Sequence, residues 1–152
     1  MGAAQRVIQL LCDSGLLIAS YNVRDAHHES CLRLLRSWTG RLLVPEPVLG
    51  ETCNFLRNHV RHGPVLEARF LESMTATGSE VEIVNPVGED RQRATELAVH
   101  LAAAPLGYVD ATIIAMAERL GIADIATLDF KFLGMASQVS RLQPLRWVVQ
   151  EA

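Results

Sequence analysis

The chain has 152 residues, 49% of them hydrophobic and 20% charged, with a formal net charge of −3. That size and apolar content suit one globular domain, 1–152, with a sizeable core. No run of about 18 or more apolar residues occurs, which excludes a membrane-spanning helix, and the acidic balance excludes nucleic-acid binding through a global basic field.

The opening "MGAAQRVIQLLCDSG" has one Arg and a short apolar run. The run ends in Asp and lacks a small-residue cleavage site, so it reads as a buried strand over Val7 to Cys12, in a cytoplasmic protein. Residues 14–21 and 25–38 follow as helices, the second carrying Cys31, Leu34, Leu35 and Trp38 on one face. "LLVP" at 42–45 is a second short strand. Pro47 then suits the first turn of a helix that runs towards His59. Gly63 is expected to stop that helix, and 64–76 to form another through Leu66, Phe70, Leu71 and Met74.

"VEIV" at 81–84 is a third strand, and 88–102 starts acidic and becomes apolar, as a helix should. "PLGYVDATIIAMAERLG" at 105–121 places Val109, Ile113, Ile114, Ala117 and Leu120 at helical spacing. Strands at 124–128 and 145–149 complete the series. Short apolar strands alternating with helices indicate an α/β domain with a mainly parallel sheet. Cys12, Cys31 and Cys53 have no paired spacing and read as small buried hydrophobes, not a disulfide framework or a zinc site.

Four acids stand where apolar residues or strand ends are expected. Asp13 directly ends "VIQLLC" and Asp129 directly ends "IATL", beyond the carboxyl ends of strands, where such sheets bind ligands. Glu51 shares a helix face with Val48 and Phe55, and Asp110 with Ile114 and Ala117. Singly, each has a plain structural account: Asp13 and Asp129 as N-caps, Glu51 and Asp110 as acids favoured early in a helix. Together they would repel unless a cation neutralised them. An oxygen-rich cluster of that kind suits Mg²⁺ or Mn²⁺.

These segments carry a resemblance. "LCDSGLLIA", "HHESCLRLL", "LLVPEPVLGETCNFL" and above all "PLGYVDATIIAMAERLGI" followed by "IATLDFKFL" resemble, in order, the PIN-domain nucleases, in particular VapC-type toxins of bacterial toxin–antitoxin pairs. The resemblance implies a three-layer sandwich with a central sheet of about five strands flanked by helices. It implies that Asp13, Glu51, Asp110 and Asp129 form an acidic quartet supported by Ser14 and Thr127. The implied activity is Mg²⁺- or Mn²⁺-dependent endoribonuclease cleavage, with the metal held mainly by Asp13 and Asp110. RNA is then the substrate, and a cognate antitoxin and a second copy of the chain are the partners. Gly15 and "DFKFLG", which lacks a basic pair after the last acid, depart from the pattern.

"RNHVRH" at 57–62 gathers Arg57, His59, Arg61 and His62 near a helix end. The cations satisfy the helix dipole there, and Arg57 and Arg61, with Lys131, are the candidates for RNA phosphate contact. His27 and His28 read as solvated, Trp38 and Trp147 as core or interface. The apolar helix at 64–76 reads as core with some interface surface. Two other functions compete. A different Mg²⁺-dependent phosphohydrolase of the DxD type would need an acid where Gly15 stands. A catalytically silent PIN-like binding module would have no use for all four acids.

Overall fold

The computed structural model describes residues 8–103, 106–142 and 146–147; for residues 130, 131, 133, 146 and 147 only the backbone is described. Five strands and seven helices alternate along the described chain. They are β1 (Gln9–Cys12), α1 (Ser14–Tyr21), α2 (His28–Ser37), β2 (Arg41–Pro45), α3 (Glu46–His59) and α4 (Gly63–Thr75). Then follow β3 (Val81–Val84), α5 (Gly88–His100), α6 (Tyr108–Leu120), β4 (Asp124–Ala126), α7 (Phe130–Val139) and β5 (Arg146–Trp147). No helix among the described residues is long and apolar enough to cross a membrane.

The strands form one sheet in the order β3-β2-β1-β4-β5, with every pairing parallel. Parallel strands need crossover helices and are covered on both faces, which is why their sequences are continuously apolar. Leu10, Leu11 and Cys12 of β1, Val44 of β2, and Ile125 and Ala126 of β4 are fully buried accordingly. Around them pack Leu16 from α1, Phe70 from α4, Ile113 and Ile114 from α6 and Phe132 from α7. Burying one such Leu, Ile or Phe side chain contributes roughly 1.5–3 kcal/mol.

The order of strands also fixes where a site can form. From β1 the chain winds outwards through β2 to β3, then returns to β4 on the other side of β1. The reversal leaves a crevice beyond the carboxyl ends of β1 and β4. Leu11 pairs with Ile125 and Cys12 with Ala126, and the ladder continues one step further: the Asp13 amide donates to the Ala126 carbonyl at 2.9 Å. Asp13 and Thr127 therefore emerge side by side.

Several expectations change in detail. The first strand begins at Gln9, Val7 lying outside the described residues with the rest of 1–7. Gly63 does not stop α3; it is the first residue of α4, buried where two helices cross. A Cβ there would sit 2.3 Å from the carbonyl oxygens of both Leu56 and Arg57. The turn is made instead by His62, which holds left-handed φ of 59°. Leu71, assigned to the packed face of its helix, is 37% exposed.

The strand expected over 124–128 stops at Ala126, and α7 over Phe130–Val139 is a helix the sequence reading omitted. His28 is half-buried rather than solvated, its Nδ1 donating to the Ala19 carbonyl at 2.7 Å and tying α2 to α1. Cys12 and Cys31 are buried as expected, while Cys53 is only half-buried; all three are free thiols. Trp38 packs half-buried against the core, and the side chain of Trp147 lies outside the described residues.

Candidate active site

Three local structures bring acids to the crevice. Asp13 leaves β1 in extended conformation and becomes the N-cap of α1, its Oδ1 accepting the Ser14 amide at 2.7 Å. Asp129 follows β4 and performs the same task for α7, its Oδ1 accepting the Phe132 amide at 3.1 Å. Asp110 lies in the first turn of α6, where the nearby Gly107 amide favours its charged form. The apolar stripe below it, Ile113, Ile114 and Ala117, is fully buried and presses the helix onto the core. At the far end Gly121 adopts φ of 66°, a left-handed turn that suits glycine and ends the helix cleanly.

Glu51 arrives from the second turn of α3. Its predicted companions divide: Val48 is fully buried but Phe55 is 39% exposed, so this face climbs out of the core and Glu51 is exposed at the crevice. The Ser14 hydroxyl donates to Glu51 Oε1 across the gap. The four acids thus line one open cleft of about 480 Å³, together with Ser14.

Behind the cleft the hydrogen bonds run in series. The Asp129 amide donates to Thr127 Oγ1 at 3.1 Å, and Thr127 Oγ1 donates to Asp13 Oδ2 at 2.7 Å. Thr127 is 1% exposed and Asp13 5%, so the bond is sheltered from water. Both oxygens of Asp13 are held, yet each keeps lone-pair capacity for a further partner.

The electrostatics are those of crowded like charge. Burial raises the Asp13 pKa; the Thr127 and Ser14 hydrogen bonds oppose this, and the Glu51 and Asp129 carboxylates add to it. Asp110 is pushed up to about 7, first by burial and then by Asp13, Asp129 and Glu51, against the Gly107 amide. Near neutral pH such a cluster favours either a bound proton or a bound cation. All-oxygen donors of this kind fit a hard divalent ion. Among the described residues no three of His, Cys, Asp or Glu are grouped so as to hold a metal ion by themselves.

The expected RNA contacts stand elsewhere. Arg57 pairs with Glu67 at 3.0 Å, and Arg61 borders a separate hollow with Arg24, His62 and Arg69. Neither lines the acid cleft, and the Lys131 side chain lies outside the described residues. Conversely, Tyr108 lines the cleft and was passed over in the sequence, although it stands two residues before Asp110. An aromatic at the solvent-facing first position of a helix is the signal that was available.

A family model described as the PIN domain matches residues 10–137. The chain belongs to the PIN-domain family. No curated protein matches it. Among solved structures, the PIN domain is similar to the Mycobacterium tuberculosis VapC20 toxin, described as cleaving the sarcin–ricin loop, at 23% identity and TM-score 0.74. That match covers 82% of this chain and 93% of the other. A toxin–antitoxin complex from Klebsiella pneumoniae matches at 18% identity and TM-score 0.62, covering 82% and 89%. DNA-bound VapBC from Salmonella typhimurium matches at 16% identity and TM-score 0.63, covering 93% and 97%. At these identities the likeness establishes the shared PIN fold.

Proposed function

We propose that this PIN-domain protein is a divalent-cation-dependent endoribonuclease and the toxin of a toxin–antitoxin pair. The observation that carries the reading is the meeting of Asp13, Glu51, Asp110 and Asp129 in one cleft at the sheet's switch point. The VapC and VapBC identities of its structural neighbours support the toxin assignment and an antitoxin as partner. A homodimer is part of the same reading, and exposed Val65 and Leu71 on α4 leave apolar surface for a partner.

Asp13 and Asp110 would hold Mg²⁺, or Mn²⁺ in its place, with Glu51 and Asp129 completing the set. When bound, the ion supplies a water of lowered pKa and neutralises charge on the scissile phosphate. The chain's own groups do the rest. Thr127 and the Ser14 amide lock the Asp13 rotamer, so its remaining lone pairs are pre-aimed. Ser14 holds Glu51 Oε1 and leaves Oε2 to accept the proton of the attacking water. Hydrolysis would join the water oxygen to phosphorus and break one P–O bond of the RNA, the departing oxygen taking a proton from solvent to leave as a hydroxyl.

The test uses purified protein free of any partner, with structured RNAs in Mg²⁺, Mn²⁺ or EDTA, beside Asp13→Asn and Asp110→Asn. Cleavage is expected with either metal and lost with EDTA or either substitution. Cleavage that survives both substitutions would overturn the carboxylate mechanism.

A further inference from the structure

One large side chain at the cleft makes no ring pair or side-chain hydrogen bond among the described residues. Tyr108 is 54% exposed, the first residue of α6. Its ring joins neither of the aromatic pairs, Tyr21 with Phe70 and Phe55 with His59, and its hydroxyl has no hydrogen-bond partner among the described residues. Nothing about helix initiation calls for an aromatic there. Its backbone, by contrast, is firmly held. The buried Thr112 hydroxyl donates to the Tyr108 carbonyl at 2.8 Å, and the Ala111 amide donates to the Gly107 carbonyl one residue earlier at 3.0 Å. The space alongside is open: a Cβ added to Gly107 would meet nothing within 4 Å.

The cleft lining therefore combines two chemistries: the oxygen-rich cluster that suits a cation and a phosphate, and Gly107, Tyr108 and Leu128, of which Tyr108 is exposed to solvent. A nucleotide combines the same two chemistries, a phosphate and a flat base. We propose that Tyr108 is the stacking platform for a nucleobase adjoining the scissile phosphate. This rests on the ribonuclease reading and deepens it. A base can lie on Tyr108 only when it has left its own stack, so the site selects single-stranded or looped-out RNA over duplex. Selection is by the base's π-face and is tolerant of its identity.

The experiment compares wild type, Tyr108→Ala and Tyr108→Phe on a short single-stranded RNA that wild type cleaves. Matched RNAs lack the base on one or the other side of the cleaved bond. Tyr108→Ala is expected to raise KM about tenfold with a far smaller change in kcat, the loss of one aromatic–base stack. Tyr108→Phe should recover most of that loss. Removing the stacked base should weaken wild type to the same degree and Tyr108→Ala no further. Losses from the variant and the abasic RNA that multiply, or a KM unchanged in Tyr108→Ala, would overturn the platform. If wild type cleaves no RNA in any metal, the ribonuclease reading fails separately. Fluorescence anisotropy of single-stranded RNA on Asp13→Asn, with and without Tyr108→Ala, then decides the subsite: equal Kd values would reject it.

Discussion

Asp13 has a capping role and a place in the acid cluster, and neither excludes the other. Its Oδ1 caps α1 while the same carboxylate stands buried against Glu51 and Asp129. Thr127 makes that position tenable, since it is the only side-chain donor to Oδ2 among the described residues. Thr127→Val keeps the shape and removes the hydroxyl. It should lower metal affinity or kcat/KM by about 10- to 100-fold and destabilise the fold by roughly 1–3 kcal/mol, with Thr127→Ser restoring both. Asp110 gives a prediction of opposite sign for stability. Its pKa rises from 3.8 unperturbed to about 7 in the folded chain. Between those values the folded state keeps a proton the unfolded state has lost, so stability falls as pH rises through the window and is lowest above it. Asp110→Asn removes the charge permanently. In EDTA its Tm should exceed wild type at pH 8, and the gap should narrow by pH 5 and close only below about 3.8, where the unfolded chain also binds the proton. A gap of equal size at both pH values would contradict the crowding.

At the scale of elements, α3 and α4 show what helix packing demands of glycine. Gly63 admits α4 to the carbonyl end of α3, where a Cβ would collide with backbone. Gly63→Ala should destabilise by about 1–3 kcal/mol in urea unfolding. Gly50, exposed in mid-α3 with nothing within 4 Å of its absent Cβ, should respond oppositely: Gly50→Ala gains about 0.5–1 kcal/mol. Most elements were legible because their apolar residues recur at the period of the element they build. The strands of β1 and β2 are unbroken apolar runs, and α6 carries its stripe through Ile113, Ile114 and Ala117. α7 is weakly legible because "DFKFLG" follows β4 with no Gly or Pro between to mark a turn, although Asp129 is its cap and Phe132 and Ala136 recur four apart. Gly63 misled because a glycine after a helix resembles a stop signal, whereas close approach is a tertiary fact. The quartet itself could be named from strand ends and helix faces. That Ser14 bridges to Glu51, and that Tyr108 stands bare beside Asp110, depends on distances the sequence does not contain.

At the scale of the whole molecule, topology explains why acids 116 positions apart meet. β1 is central, and the sheet reverses between it and β4, so the first and last acids leave adjacent strands. Asp110 enters above them from α6 and Glu51 from α3, on helices that the core holds in place. The protein thereby concentrates negative charge in one cleft of a chain whose net charge is only −3. A cation that relieves this stabilises the fold by mass action, about 1.4 kcal/mol at ten times its Kd. In the proposed site Mg²⁺ would displace the proton on Asp110, so it should raise Tm more at pH 8 than at pH 6. The most direct measurement is the titration of the Asp110 side-chain carboxyl by carbon NMR, with and without Mg²⁺. The account predicts an apparent pKa near 7 without metal that falls back towards the ordinary carboxylate range when Mg²⁺ is present. An ordinary value without metal, or one that Mg²⁺ leaves unmoved, would contradict a shared cation among the four acids.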